Sequence, residues 1–246
     1  MRAGLARLSP PSQCTVCRGW PALQVCNACV SRFSPLVMRC RTCALELATD
    51  LSGGQRPHPQ LCASCIAGSP STDAAFAGVT YGFPWAGLIA SFKFGERPGW
   101  AAFFARLLLN SPGVRENMAS LGPDDWLLPL PLSARRLEAR GFNQSWEIAR
   151  WLAEESATLA HADARLLLRI RDTRPQTELQ RDARIANVRG AFAVDPLRAH
   201  LLKNRRVVLV DDVMTSGASL FAAAEALRDA GAAHVTALVV ARTGMS

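Results

Sequence analysis

The chain has 246 residues, 49% hydrophobic and 20% charged, and a formal net charge of +8. That is ample material for a sizeable core, and no stretch reaches the 18 uninterrupted apolar residues of a membrane span, because Lys93 breaks one run and Arg242 ends the last. Met1 to Gln13 lacks the apolar segment of a secretory signal, so a cytoplasmic protein is expected, with a basic balance that favours anionic partners such as phosphates or nucleic acid.

All eight cysteines fall within the first 65 residues, as four C-x-x-C pairs: Cys14/Cys17, Cys26/Cys29, Cys40/Cys43 and Cys62/Cys65. Each pair forms a knuckle that gives two thiolates to one metal, and four thiolates close a tetrahedral structural zinc site, so eight imply two zinc ions. Pairing the knuckles in sequence keeps the enclosed loops short, with eight residues in one and eighteen in the other; a crossed arrangement stays open. Disulfides fit poorly without a signal peptide, and thioredoxin-like redox pairs do not come four to a chain. Apolar periodicity is slight here, so metal must supply most of the folding energy. His58 reads as a solvated loop residue, because the thiolate set is already complete.

A Gly-Ser-Pro-Ser-Thr linker at residues 68–72 separates a cysteine module, 1–67, from a second domain, 74–246. Residues 75–83 read as an opening strand, followed by helical stretches at 85–94 and 99–110. Strands are expected near 125–130, 164–170, 189–194, 206–211 and 234–241, and helices near 143–157 and 217–230, capped by Asn143 and ended by Gly231. This is α/β alternation around a largely parallel sheet. Residues 172–188 are polar and read as an arm over a site.

The run Val207-Val208-Leu209-Val210-Asp211-Asp212-Val213-Met214-Thr215-Ser216-Gly217-Ala218-Ser219 is a doubly buried strand, a carboxylate pair and a phosphate-binding turn in succession. Gly217 allows close backbone approach to an anion, while Thr215, Ser216 and Ser219 add hydroxyl donors. Asp211 and Asp212 only accept hydrogen bonds when ionised, which suits the vicinal hydroxyls of a ribose. A receiver domain would need more chain after Asp212, a Walker B strand would need an upstream Gly-Lys, and an aspartate-nucleophile phosphatase would need Asp where Val213 stands. Upstream, the proline-stiffened Leu128-Pro129-Leu130-Pro131-Leu132 leads into Arg135, Arg136, Arg140, Asn143 and Gln144. These offer guanidinium groups and a helix N-terminus to a pyrophosphate, although an exposed arginine-rich helix would look the same.

The Val207–Ser219 run is similar to the signature of type I phosphoribosyltransferases, which bind phosphoribosyl pyrophosphate. Further motifs accompany it: the four knuckles, the Leu-Pro-Leu-Pro-Leu segment with Arg140-Gly141-Phe142-Asn143-Gln144, and Arg174-Pro175-Gln176-Thr177-Glu178-Leu179 with Arg184, Asn187 and Ala191-Phe192. Together with Tyr81 and Lys93-Phe94, the set resembles the ComF family of late competence proteins. The resemblance implies a double zinc ribbon followed by a type I phosphoribosyltransferase-like domain, an α/β fold whose mostly parallel sheet has flanking helices, and a link to DNA uptake in natural transformation. The family's usual Thr-Thr-Gly-Ala-Thr reads Thr-Ser-Gly-Ala-Ser here, with a hydroxyl kept at all three positions.

With phosphoribosyl pyrophosphate as ligand, the 5-phosphate falls to Thr215, Ser216, Gly217, Ala218 and Ser219, the ribose hydroxyls to Asp211 and Asp212, and the pyrophosphate to the Arg135–Gln144 segment, while magnesium neutralises the pyrophosphate with few direct protein ligands. Arg174 and Gln176 join the two acids as catalytic candidates on a closing loop. No residue stands out as a base for an acceptor. The expectation is therefore a phosphoribosyltransferase with an unknown acceptor, or a non-catalytic protein that senses phosphoribosyl pyrophosphate or binds single-stranded DNA or uptake machinery.

Overall fold

The computed structural model describes residues 12–48, 61–68, 70–95, 99–171 and 188–244. The chain divides into two compact units, Met1–Leu36 and Val37–Ser246. In the first, the Ser12–Ala22 antiparallel bridge encloses the Cys14/Cys17 knuckle, Arg18 follows it in the left-handed region at φ 64°, and Cys26 caps helix α1 (Asn27–Phe33), which carries Cys29.

The second unit opens with the same device. An Arg39–Glu46 bridge encloses Cys40/Cys43, Ala44 follows at φ 54°, and Cys62 caps helix α2 (Ala63–Ala67), which carries Cys65. Two equivalent modules thus lie behind the four knuckles. This second module is part of the hydrophobic core of its own unit, where Cys40, Cys43, Ala44, Leu45, Cys62 and Cys65 join Ala75, Ala77 and the sheet.

Next come β1 (Ala74–Thr80), α3 (Trp85–Phe94), α4 (Trp100–Leu109), α5 (Val114–Ala119), β2 (Trp126–Pro129), α6 (Ala134–Arg140), α7 (Gln144–Ser156) and β3 (His161–Ala162). After the short strands β4 (Leu167–Arg169) and β5 (Phe192–Val194), a 3₁₀ turn (Ala199–Leu202) leads into β6 (Arg206–Met214), α8 (Ala218–Asp229) and β7 (His234–Arg242). Five strands form one all-parallel sheet in the order β1-β7-β6-β2-β3. Its centre is β6 and β7, where Val207 to Val210 and Val235 to Ala241 are all buried, as continuous branched runs require when helices cover both faces. Each fully buried valine or leucine among them contributes about 1.5–3 kcal/mol of burial.

The strands expected at 164–170 and 189–194 exist in shortened form, but they pair antiparallel with each other, Leu167 opposite Val194, outside the parallel sheet. There β5 packs against α8. The sheet's edge is taken instead by His161–Ala162, paired with Trp126 and Leu127, a contact of two exposed residues with no apolar run to announce it. β6 also runs three residues beyond the expected end at 211, because β7 supplies partners as far as Met214 opposite Arg242. Of the polar segment expected as an arm, residues 172–187, with Arg174, Gln176, Arg184 and Asn187, lie outside the described residues, as does His58, while Val188 is buried. Among the described residues no helix is long and apolar enough to cross a membrane.

Candidate functional site

From β2 the chain steps to β3 on one side, and from β6 it steps to β7 on the other, so the strand order reverses between β2 and β6. Right-handed crossovers in opposite directions put α7 and α8 on opposite faces and leave a crevice at the carboxyl ends of these two strands. The ladder makes the crevice explicit. β2 pairs with β6 only as far as Pro129 opposite Val210, with one further bond from Leu130 N to Val210 O, whereas β7 holds β6 to Met214. Asp211 and Asp212 therefore lie on a strand already released on one edge. They line a cavity of about 630 Å³ with Lys93, Arg136, Arg140, Ser145 and, from the turn after β6, Thr215, Gly217, Ala218 and Ser219.

Each acid already has a partner. Asp212, buried at 6% exposure, has Oδ1 2.8 Å from Lys93 Nζ at the end of α3. Asp211 Oδ1 accepts from Ser145 Oγ at 2.9 Å and from the Asp212 amide at 2.8 Å. Burial and, after it, the neighbouring Asp212 charge push Asp211 up to about 7, although Lys93 and these two donors pull the other way. One carboxyl thus titrates near neutrality beside a paired one. Ser145 and Lys93 are absent from the sequence-derived roles. Lys93 had the family's Lys-aromatic pair as a signal; Ser145 had none, since only folding brings the start of α7 to β6.

The turn after β6 has the form an anion requires. Gly217, at φ 82°, caps α8, whose first turn contains no acid. A Cβ at Gly217 would come within 2.6 Å of both Met214 Cε and Phe221 Cε2, so no other residue fits without movement. Ser216 Oγ accepts from the Ala218 amide at 3.4 Å, and Thr215, Gly217, Ala218 and Ser219 face the cavity. The first amides of a helix have no intrahelical acceptor, which makes this end of α8 attractive to an anion.

The Arg135–Gln144 segment divides in its roles. Arg136 and Arg140 line the cavity, while Arg135, Asn143, Gln144 and Ser216 are not among its lining residues. Arg140 lies 5.1 Å over the Phe94 ring and donates to Gln144 Oε1 at 2.9 Å; burial lowers its pKa against the attraction of Asp212 and Asp211. Asn143 caps α7, its Oδ1 accepting from the Ser145 and Trp146 amides while Nδ2 donates to Leu130 O at 3.1 Å. Its amide is engaged in tying the end of β2 to the helix that carries Ser145. Gln144 is buried, and its Nε2 has no hydrogen-bond partner among the described residues.

The cysteines gather as Cys14, Cys17, Cys26 and Cys29, and as Cys40, Cys43, Cys62 and Cys65, with the sulfurs of each group within 4.8 Å of one another. This is the sequential pairing. A tetrahedron with Zn–S bonds of about 2.3 Å has S–S edges of about 3.8 Å, and Cys17–Cys26 Sγ at 3.8 Å and Cys43–Cys62 Sγ at 3.6 Å match it. Backbone amides aim at one sulfur in each group, Cys26 N to Cys14 Sγ at 3.4 Å and Cys62 N to Cys40 Sγ at 3.3 Å. Burial pushes both thiols up, but these and neighbouring hydrogen bonds outweigh it and hold each at about 6. The residues present therefore fit a metal in each group.

Comparison with known proteins agrees with this architecture. A family model described as phosphoribosyl transferase domain matches residues 153–245. The chain is 30% identical to DNA utilization protein YhgH of Salmonella typhimurium over 245 residues, 96% of this chain and 99% of that protein. It is 29% identical to the Escherichia coli K12 protein of the same name, with the same coverage. Competence protein F of Haemophilus influenzae is 27% identical over 237 residues, 94% of this chain and 96% of that protein. With four knuckles, a parallel sheet and the acid pair in place, the chain belongs to the ComF family of competence and DNA utilization proteins, and it carries a phosphoribosyltransferase domain.

Proposed function

We propose that the crevice between β2 and β6 binds phosphoribosyl pyrophosphate together with magnesium, in the service of DNA utilization or uptake. The observation that carries this reading is one cavity containing an acid pair, a left-handed glycine turn at a helix N-terminus and two arginines. The turn takes the 5-phosphate, Asp211 and Asp212 accept from the ribose hydroxyls, and Arg136 and Arg140 face the pyrophosphate. Lys93 must then leave Asp212, and its ammonium is available to the incoming phosphates. Magnesium bound with the ligand would neutralise pyrophosphate charge while keeping most of its own waters. The four-cysteine groups hold zinc as structural sites.

A transferase reading draws support from Asp211, whose pKa of about 7 suits proton transfer at neutral pH. The names of the relatives speak of DNA utilization and competence, and a phosphoribosyl ligand serves a sensor as well as a transferase. Calorimetric titration with phosphoribosyl pyrophosphate and Mg²⁺ tests the site. Binding at one ligand per chain, lost in the Asp211→Asn, Asp212→Asn double variant, is expected; equal binding by the variant would remove the acids from the site.

A further inference from the structure

Arg242, the last residue of β7, is buried at 6% exposure and makes no ion pair among the described residues. Its guanidinium instead bridges two pieces of backbone. Nε donates to the carbonyl of Cys43 at 2.9 Å, and Nη1 donates to the carbonyls of Met214 at 3.2 Å and Thr215, the residues that enter the phosphate turn. The same Nη1 meets Thr243 O at 2.8 Å, and the Thr243 amide returns to Met214 O at 3.1 Å. A parallel brace stands beside it. Arg39 donates to Ala44 O at 3.1 Å and to Thr80 Oγ1 at 3.0 Å, so the Cys40/Cys43 knuckle is fastened to the carboxyl ends of both β1 and β7.

A buried guanidinium whose partners are carbonyls and one hydroxyl, Thr243 Oγ1 at 3.2 Å, with no carboxylate among them, calls for a nearby negative charge. Four thiolates with one zinc carry about −2 in total, and Cys43 is one of those thiolate residues. Metal in the second group would therefore both fix the Cys43 carbonyl and balance the cation that holds Met214 and Thr215. Only a planar, forked donor reaches both sides; a lysine ammonium is a single point.

We propose that Arg242 is a positioning residue that makes the second four-cysteine group the abutment of the Thr215–Ser219 turn, so that this turn is set for a phosphorylated ligand only while the group holds its metal. The proposal rests on the phosphoribosyl reading of that turn, but its structural half is measurable without ligand. Zinc loss or cysteine oxidation at Cys40, Cys43, Cys62 or Cys65 then weakens ligand binding from the far side of the turn.

Hydrogen–deuterium exchange on the full-length zinc-loaded protein tests it. Arg242→Lys and Arg242→Gln should both speed exchange of the Thr243 amide, bonded to Met214 O, and of the Phe221 amide, bonded to Gly217 O, by about tenfold or more while the amides of 207–210 stay protected and zinc content is unchanged. Phosphoribosyl pyrophosphate should bind these variants about tenfold more weakly. Unchanged exchange at the Thr243 and Phe221 amides, full function of the lysine variant, or uniform loosening of β6 would overturn the proposal. If neither variant folds, graded chelation of the wild type must raise exchange at the Thr243 and Phe221 amides in step with loss of the second zinc; no rise would equally refute it. Loop exchange that responds as expected in a protein that never binds phosphoribosyl pyrophosphate would sustain the abutment and reject the ligand instead.

Discussion

Asp211 and Asp212 are adjacent in sequence, yet their surroundings separate them: Lys93 pairs with Asp212, while burial and the neighbouring charge leave Asp211 with a pKa of about 7. An unfolded aspartate titrates at about 3.9, so Asp211 favours the fold fully below that value and loses this contribution as pH rises through about 7. The melting temperature of Asp211→Asn relative to wild type should therefore climb between pH 5 and pH 8; a flat difference would contradict the raised value. Ligand binding has the opposite sign, because ribose hydroxyls need the ionised carboxylate as acceptor. Titrations at pH 7 in buffers of different ionisation enthalpy should detect release of about half a proton per bound ligand, and none from Asp211→Asn.

The turns and caps around the site show how much can be read from local sequence. Gly217 and Asn143 were legible because their backbone chemistry is local: one occupies the left-handed region, and the other accepts from the amides of a helix start. Replacing Asn143 with alanine should cost about 1 kcal/mol in urea unfolding and, by releasing Ser145, weaken ligand binding as well. Gly217→Ala must adopt a conformation costing about 1–2 kcal/mol and displace Met214 and Phe221, so it should fold with lowered stability and give no ligand-induced thermal shift. Contacts between distant segments were not legible. Ser145 meets Asp211 across 66 residues and Lys93 meets Asp212 only after α3 packs, and neither leaves a periodicity or spacing in the chain. β4 and β5 had strand-like composition, but composition does not say which strands pair, and they formed their own ribbon. The long apolar runs of β6 and β7 were read correctly because burial on both faces imposes itself on every residue.

In the whole molecule, two metal groups of the same construction belong to different compact units, Met1–Leu36 and Val37–Ser246. Metal analysis should find two zinc ions per chain. Serine at Cys14 and Cys17 should leave one zinc and an unchanged response to phosphoribosyl pyrophosphate, whereas serine at Cys40 and Cys43 should leave one zinc and abolish that response. The reverse pattern would detach the second group from the site. The most direct measurement is a crystal structure with phosphoribosyl pyrophosphate and Mg²⁺. The 5-phosphate should lie against the amides at the start of α8, the ribose hydroxyls on Asp211 and Asp212, and Lys93 should have left Asp212. Ligand bound elsewhere, or a Lys93–Asp212 pair still intact beneath it, would contradict the account.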